Sequence, residues 1–435
     1  MRISITNLTT RGVGRLPALV LLAAFLASAP VIASEPVLIS PEGVRATAVD
    51  VAYDSQGTAW LLWVQKGARI PGAGHASADD LYLTRWPSDG PPEPPIRVNS
   101  DPGSVRASVL SRARIAVDSD DRVHALYPVA GTSPVHGKPV INIRYQRLHP
   151  PLATVATQLN TPAENDLSST SHSNVGSAAT FLSLSAAPSG HLYALWIDSR
   201  HSEFTESNSW VYGARSGDGG DTWSADTPMY ESVCPCCQPD SAWAGDHLLV
   251  SSRLVDEASH RDPHLMRFDA ALAQQGAPAR VGEARWQIEG CPLKRISVAG
   301  SSAREFVAWY AETENPKGVW LARRDTNQAA FSDYQALHPE ALVSDAPASA
   351  AGGNTLWVAW HAKTENAERG IYLVTSTDAG NTLSAPERIS GPEAAAYPAL
   401  TLNANEGIIS WEAGGRIVAL RRPLADTLAH HANHP

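Results

Sequence analysis

Cysteine is scarce in this chain. There are four in 435 residues, and three of them fall within four positions, Cys234, Cys236 and Cys237, with Cys291 apart. None lies in the N-terminal segment, which argues against a lipid anchor there. Long apolar runs are absent beyond the first 33 residues. Nothing later offers the roughly 20 apolar residues that a membrane-spanning helix needs. Positive charge is also short: 34 Lys and Arg face 44 Asp and Glu, for a net charge of -10. Such a chain lacks the bulk charge that attracts nucleic acid or anionic membrane. Nucleic acid and an integral membrane role are therefore not expected.

What is present begins with an export pattern. Arg2, Arg11 and Arg15 precede LPALVLLAAFLASA, and small residues follow around VIASEP. A charged, then apolar, then small-residue order predicts a signal peptide over 1–33, cut near Ala33 or Ser34. Its removal takes the net charge from -10 to -13. The expected location is periplasmic or secreted, and the expected state is a monomer.

The rest repeats one phrase about every fifty residues: an alternating strand, a Gly or Asp turn, a second strand ending in an aromatic, then a third strand and a short fourth. VDVAYDSQGTAWLLWV, ARIAVDSDDRVHALYPV, LSLSAAPSGHLYALWI and RISVAGSSAREFVAWY are four openings of it. Period-2 alternation at this spacing predicts an all-β propeller of seven four-stranded blades over 34–425. Six blades is the alternative, because the fourth copy, PDSAWAGDHLLVSSR, is the least regular. A pair of β-sandwiches fits less well, since the phrase recurs evenly. The last copy stops short, and PVLISPEG near the N-terminus resembles PERISGPE of the sixth copy. The N-terminal strand is therefore expected to close the ring. The polar, histidine-containing tail 426–435 is expected to be disordered. The recurring Trp63, Tyr127, Trp196, Trp309, Trp360 and Trp411 are expected to be core.

Two turns carry a motif. SGDGGDTW supplies Ser216, Asp218, Gly220 and Trp223, and STDAGNTL supplies Ser376, Asp378 and Gly380, with Leu383 in place of Trp. This resembles the Asp-box of the sialidase-like (BNR-repeat) propellers, where it is structural and lies away from the active face. Sialidases of that family are similar in using three arginines for the substrate carboxylate, a Tyr–Glu pair and an Asp. Here ARIP at Arg69–Pro71 falls after a second strand, out of phase with the family's arginine motif. Arg45, Arg112 and Arg114 lie near first strands and can face the channel.

The repeat phase places Cys234, Cys236 and Cys237 in the loop entering the fourth copy, and Cys291 in the loop entering the fifth. Both are expected on the face opposite the Asp-boxes. The stretch from Arg253 through Arg261, Asp262 and His264 is expected to join them as a loop between second and third strands. The arrangement resembles an exported BNR-repeat subgroup with a C-x-C-C loop, an Arg-Asp pair and W-x-I-x-G-C-P, here WQIEGCP. Leu293 and Lys294 depart from the polar, histidine-rich continuation expected there. An exported chain with an even number of cysteines predicts disulfides. One pairing scheme ties Cys291 to the triplet and closes the other two locally. A soft-metal site for copper or zinc, with His264 as a further ligand, and a reactive thiol are the alternatives. Arg253 and Arg261 are candidates to clamp a carboxylate or sulfate beside Asp262 and His361. Asp262 and Glu412 are the candidate carboxylates of a divergent glycoside hydrolase. The leading expectation is recognition of a small anionic or glycan ligand; copper or zinc handling stands behind it.

Overall fold

The computed structural model describes residues 35–71, 77–132, 137, 139–149, 152–153, 156–161, 179–198, 209–283 and 285–424. The expected signal segment 1–33 and tail 426–435 lie outside these residues. Regular structure among the described residues is entirely β: 29 strands in six hydrogen-bonded sheets. No described helix is long and apolar enough to cross a membrane.

Within each sheet the strands pair antiparallel, in nearly sequential order. The first sheet runs Ala46–Tyr53, Ala59–Gln65, Asp80–Trp86, Ile96–Arg97. Its second strand, AWLLWVQ, is buried at every position but the last. A continuous apolar run is what a strand covered on both faces requires. Trp63, Tyr127, Trp196, Trp309, Trp360 and Trp411 are each at most 2% exposed. They sit in clusters drawn from neighbouring copies: Trp360, for example, shares a cluster with Ala299, Phe306 and Ala308. The sheets thus pack face to face through their second strands.

The fourth copy is irregular for a visible reason. Asp240 pairs with Ser251, so Ser252 occupies the register that an aromatic holds elsewhere. The third and fourth copies also merge into one eight-stranded sheet, where Val233 pairs with Leu254. The last sheet takes a strand from the far end of the chain. Val37 and Leu38 pair with Ala419 and Val418. Ile39 N–H donates to Ile417 O at 2.9 Å, and Ile417 N–H donates to Ser40 Oγ at 3.0 Å.

The two motif turns share one geometry. Thr222 N–H donates to Asp218 Oδ1 at 2.9 Å, and Gly220 N–H donates to Ser216 Oγ at 2.9 Å. In the sixth copy Thr382 N–H donates to Asp378 Oδ1 and Gly380 N–H to Ser376 Oγ, both at 2.9 Å. Hydrogen bonds from the Thr222 hydroxyl, the Thr222 N–H and the Ser216 hydroxyl hold Asp218 at about 2, and those from the Thr382 N–H, the Ser376 hydroxyl and the Thr382 hydroxyl hold Asp378 at about 2. Gly220 has φ +87°, and a Cβ there would stand 1.6 Å from Tyr145 Oη. Trp223 packs edge-on to the same Tyr145 ring at 4.8 Å. Gly220→Ala is therefore expected to destabilise the fold by about 1–3 kcal/mol through strain and overpacking. Gly276 has φ +78° and nothing within 4 Å of its would-be Cβ. Gly276→Ala should show the backbone strain alone, so urea midpoints of the two variants separate the causes.

Candidate functional site

The first strands present a common tier. Asp50 pairs with Leu62, Arg114 with Leu126, Ser183 with Leu195, and Ser297 with Ala308. Each partner directly precedes a buried aromatic. Asp240 holds this register in the fourth copy, and Ala348 and Ala399 hold it in the sixth and seventh. Four first strands bulge just before the tier. Ala48, Phe181, Ala346 and Tyr397 there have φ of 57°, 57°, 53° and 55°. A bulge re-aims the residues beside it. For residues as large as Phe181 and Tyr397 the left-handed backbone is strained.

The tier is knitted by charge. Ile115 N–H donates to Asp50 Oδ2 at 3.1 Å, and Val298 N–H donates to Asp240 Oδ2 at 3.1 Å. Ser349 N–H donates to Ser297 Oγ at 2.9 Å. Each acceptor thus satisfies a backbone donor on the first strand of the next copy. Arg114 joins the two carboxylates: Nη2 donates to Asp240 Oδ1 at 2.9 Å, and Nε lies 3.4 Å from Asp50 Oδ2. Burial opposes the Arg114 charge, but the two aspartates prevail and raise its pKa.

One step up the strands, two arginines are less well matched. Arg112 is fully buried and donates to Tyr397 O at 2.6 Å and Pro398 O at 3.2 Å. Its Nε is buried without a hydrogen-bond partner among the described residues. Arg295 donates to Pro398 O at 3.5 Å. Burial, then repulsion from Arg295, pushes Arg112 well below its usual range. Burial, then Arg114, pulls Arg295 down to about 10. A cavity of about 390 Å³ is lined by Asp50, Arg112, Arg114, Asp240 and Arg295, with walls of Ser, Ala and Gly from the first strands. The lining reaches Gly300, Ala351 and Leu402, toward the turns between first and second strands. Antiparallel alternation puts those turns at the Asp-box end.

The cysteine sector is built differently from the expected open rim. The pairs are Cys234–Cys237 and Cys236–Cys291, and no described cysteine is free. The four sulfurs are therefore not thiolate ligands in this state. Cys234, Cys236 and Cys237 lie within 4.8 Å of one another, a group that does not include His264. Arg253 lies in the strand His247–Val255, and Arg261, Asp262 and His264 lie in Arg261–Phe268. Only 256–260 form the loop, which corrects the longer one expected. Arg253 and Arg261 are each 1% exposed. Arg253 donates to Arg261 O at 2.8 Å and Tyr310 O at 2.7 Å, and burial pulls it to about 10. Arg261 Nε donates to Ile288 O at 3.3 Å. These guanidiniums fasten neighbouring backbone segments. They do not form the open forked clamp that their sequence suggested.

The remaining candidates are dispersed. Asp262 accepts from Trp286 N–H at 3.0 Å and Arg285 Nε at 3.2 Å. Glu412 accepts from Thr47 Oγ1 at 2.6 Å and Ala48 N–H at 2.7 Å, in another sheet. The two carboxylates have separate partner sets and form no pair. His264 Nδ1 contacts Asp262 O at 3.0 Å, and burial lowers its pKa. It lines a separate rim cavity of about 310 Å³ with Asp256, His260 and Arg285. Arg69 bridges to Ser77 in the loop after its second strand. Arg295 was not singled out in the sequence. Its signal is the copy alignment: it precedes Ile296-Ser297-Val298 and holds the register that Arg112 holds.

His361 is buried, and its Nδ1 accepts from Tyr397 N–H at 3.2 Å. Burial outweighs Asp345 and pulls it to about 4. A depressed histidine contributes stability that is whole above its unfolded value of about 6.5 and lost as pH falls toward 4. The loss is on the order of 3 kcal/mol. His124, also pulled to about 4 by burial, shares that window. Urea titrations from pH 7 to 4 should show stability falling, with a part of the slope removed in His361→Gln, since burial lowers His264 and His338 as well.

No protein-family pattern and no curated protein matches this sequence. Solved structures do. An ulvan lyase, described as a new family of polysaccharide lyase PL25 and bound to -[GlcA(1-4)Rha3S]-, is 14% identical with a TM-score of 0.55; the match covers 91% of this chain and 99% of that one. A Hadza microbial sialidase is 12% identical with a TM-score of 0.49, over 88% of this chain. A Trypanosoma rangeli sialidase is 9% identical with a TM-score of 0.43, over 91% of this chain. The chain spans 66% and 59% of those two sialidases. At such identities the likeness is one of fold alone, and the lyase carries it: this all-β chain has that fold, with its sheets arranged as a β-propeller.

Proposed function

We propose that this chain is an exported, seven-bladed sialidase-like propeller that binds an anionic glycan through Arg112, Arg114 and Arg295. The seven first strands at one register support the blade number. The pairing of Val37–Leu38 with the last sheet supports closure of the ring by the N-terminal strand. The observation that carries the ligand class is the charge imbalance around the cavity. Three guanidiniums face two carboxylates, and both carboxylates are engaged by Arg114. Arg112 and Arg295 hydrogen-bond only to carbonyl oxygens among the described residues. Asp50 and Glu412 offset the Arg112 charge, and Asp240, Asp50 and Asp345 that of Arg295, without hydrogen-bonding them, and burial still prevails. A buried charge without a hydrogen-bonded counter-charge is costly, so a carboxylate or sulfate entering the cavity would relieve it. The lyase of similar fold was solved with a saccharide of the same chemical class. The proposal is recognition. Copper or zinc handling at Cys234, Cys236 and Cys237 would first require the sulfurs to be reduced.

Calorimetric titration with glucuronate, N-acetylneuraminate and sulfate, with glucose as neutral control, tests the reading. The acidic probes should bind and glucose should not. Arg295→Gln should weaken binding by about tenfold or more, about 1.4 kcal/mol. Lys317→Gln, which alters a surface pair with Glu312, should leave it unchanged. Equal affinity in Arg295→Gln and wild type, with unchanged thermal stability, would remove the arginines from the site.

A further inference from the structure

We propose that the four cysteines form a thiol–disulfide exchange relay, entered by a small thiol at Cys291 and discharged at Cys237. The inference is independent of the glycan reading. It rests first on an asymmetry of access. Cys291 is exposed, whereas Cys234, Cys236 and Cys237 are 0%, 9% and 1% exposed. Exchange proceeds by attack of a thiolate on an accessible disulfide sulfur, and Cys291 is the exposed residue among the four. It rests second on contact between the two disulfides. Cys236 Sγ lies 3.6 Å from Cys234 Sγ, although the two belong to different bonds.

The steps balance. A thiolate of the small thiol attacks Cys291 Sγ and forms a mixed disulfide; the Cys236–Cys291 bond breaks and Cys236 leaves as thiolate. Freed from Cys291, Cys236 Sγ turns about its Cα–Cβ bond into line with the Cys234–Cys237 bond and attacks Cys234 Sγ. A Cys234–Cys236 bond forms, the Cys234–Cys237 bond breaks, and Cys237 leaves as thiolate and takes a proton from water. A second small thiol resolves the mixed disulfide, giving its own disulfide and the Cys291 thiol. Two electrons enter, the small thiol is oxidised, and the chain keeps one disulfide and gains two thiols. The apolar surroundings of the triplet, Val255 and Phe181, disfavour a lingering Cys236 thiolate and so favour its prompt reaction or protonation.

The Cys291 segment is placed by more than its disulfide. Arg261 N–H donates to Trp286 O at 2.9 Å, and Ile288 N–H donates to Ser259 O at 3.2 Å. Trp286 N–H donates to the buried Asp262. These bonds do not depend on the Cys236–Cys291 bond, so they would keep the Cys291 segment near the triplet after it opens and let the relay run backwards.

Limiting reduced glutathione on the purified full chain, followed by acid quench, alkylation and peptide mass mapping, tests this. The expected early species carries glutathione on Cys291. The expected two-thiol species is alkylated at Cys291 and Cys237, with Cys234–Cys236 intact. In Cys234→Ser/Cys237→Ser, which removes the second disulfide, alkylation should move to Cys236 and Cys291. Two-thiol wild type alkylated only at Cys236 and Cys291 would show reduction without relay and overturn the proposal. Alkylation only at Cys234 and Cys237 would place entry at the other disulfide and overturn it equally.

Discussion

The bond pattern on which the centre depends is the clamp of Arg114 between Asp50 and Asp240. A propeller brings the first strands of its sheets together at one axis. The outward edge of each first strand is paired with its own sheet, but its inner edge leaves backbone donors facing a neighbouring copy. Asp50 and Asp240 each accept such a donor, from Ile115 and Val298. A carboxylate used this way carries its charge inward, and burial makes that charge costly alone. Arg114 supplies the counter-charge to both at once, so three copies are held by one guanidinium. Ser297 does the same service for Ser349 without charge, where the neighbouring walls are Ala and Gly.

Once Arg114 is committed, Asp50 and Asp240 act on Arg112 and Arg295 by charge alone, without hydrogen-bonding them, and burial outweighs that attraction. Their hydrogen bonds run to Tyr397 and Pro398 carbonyls, which orient a guanidinium but do not neutralise it. The two arginines also repel one another. Without an anion the arrangement is a standing cost to stability. Such costs are tolerated where a ligand is meant to meet them. The bulge at Tyr397, whose left-handed backbone recurs at Ala48, Phe181 and Ala346, places two successive carbonyls within reach of the arginines.

The fold was legible because its signals are repetitive. The alternation, the aromatic near each second-strand end and the turn residues recur in phase, so any one weak copy is supported by its neighbours. Even the irregular fourth copy traces to one substitution of register, Ser252 where others place an aromatic. The site was less legible because polarity in a sequence does not reveal burial. Arg253 and Arg261 read as rim cations, yet both are spent on carbonyl oxygens inside the protein. Asp262 and Glu412 read as a carboxylate pair, yet each caps a different backbone donor. Of the residues that line the cavity, Arg112 and Arg114 were marked by their strand phase. Arg295 was hidden beside the more conspicuous Cys291.

The two charged sectors, the central tier and the surroundings of Cys291, also divide the work. Around Cys291, arginines are consumed in holding loops: Arg253 stacks over Trp286 at 5.2 Å while bonding Tyr310 O, and Asp262 fixes Trp286 from the other side. That sector keeps its shape through hydrogen bonds as well as disulfides, which makes its sulfur chemistry separable from its architecture. Around Arg114 the opposite holds. There the polar groups are both the architecture and the charge that a ligand would meet. Removing a partner of Arg114 therefore disturbs the packing of three copies together, whereas Arg112 and Arg295 hydrogen-bond only to carbonyls and are the groups whose charge the proposed binding would use.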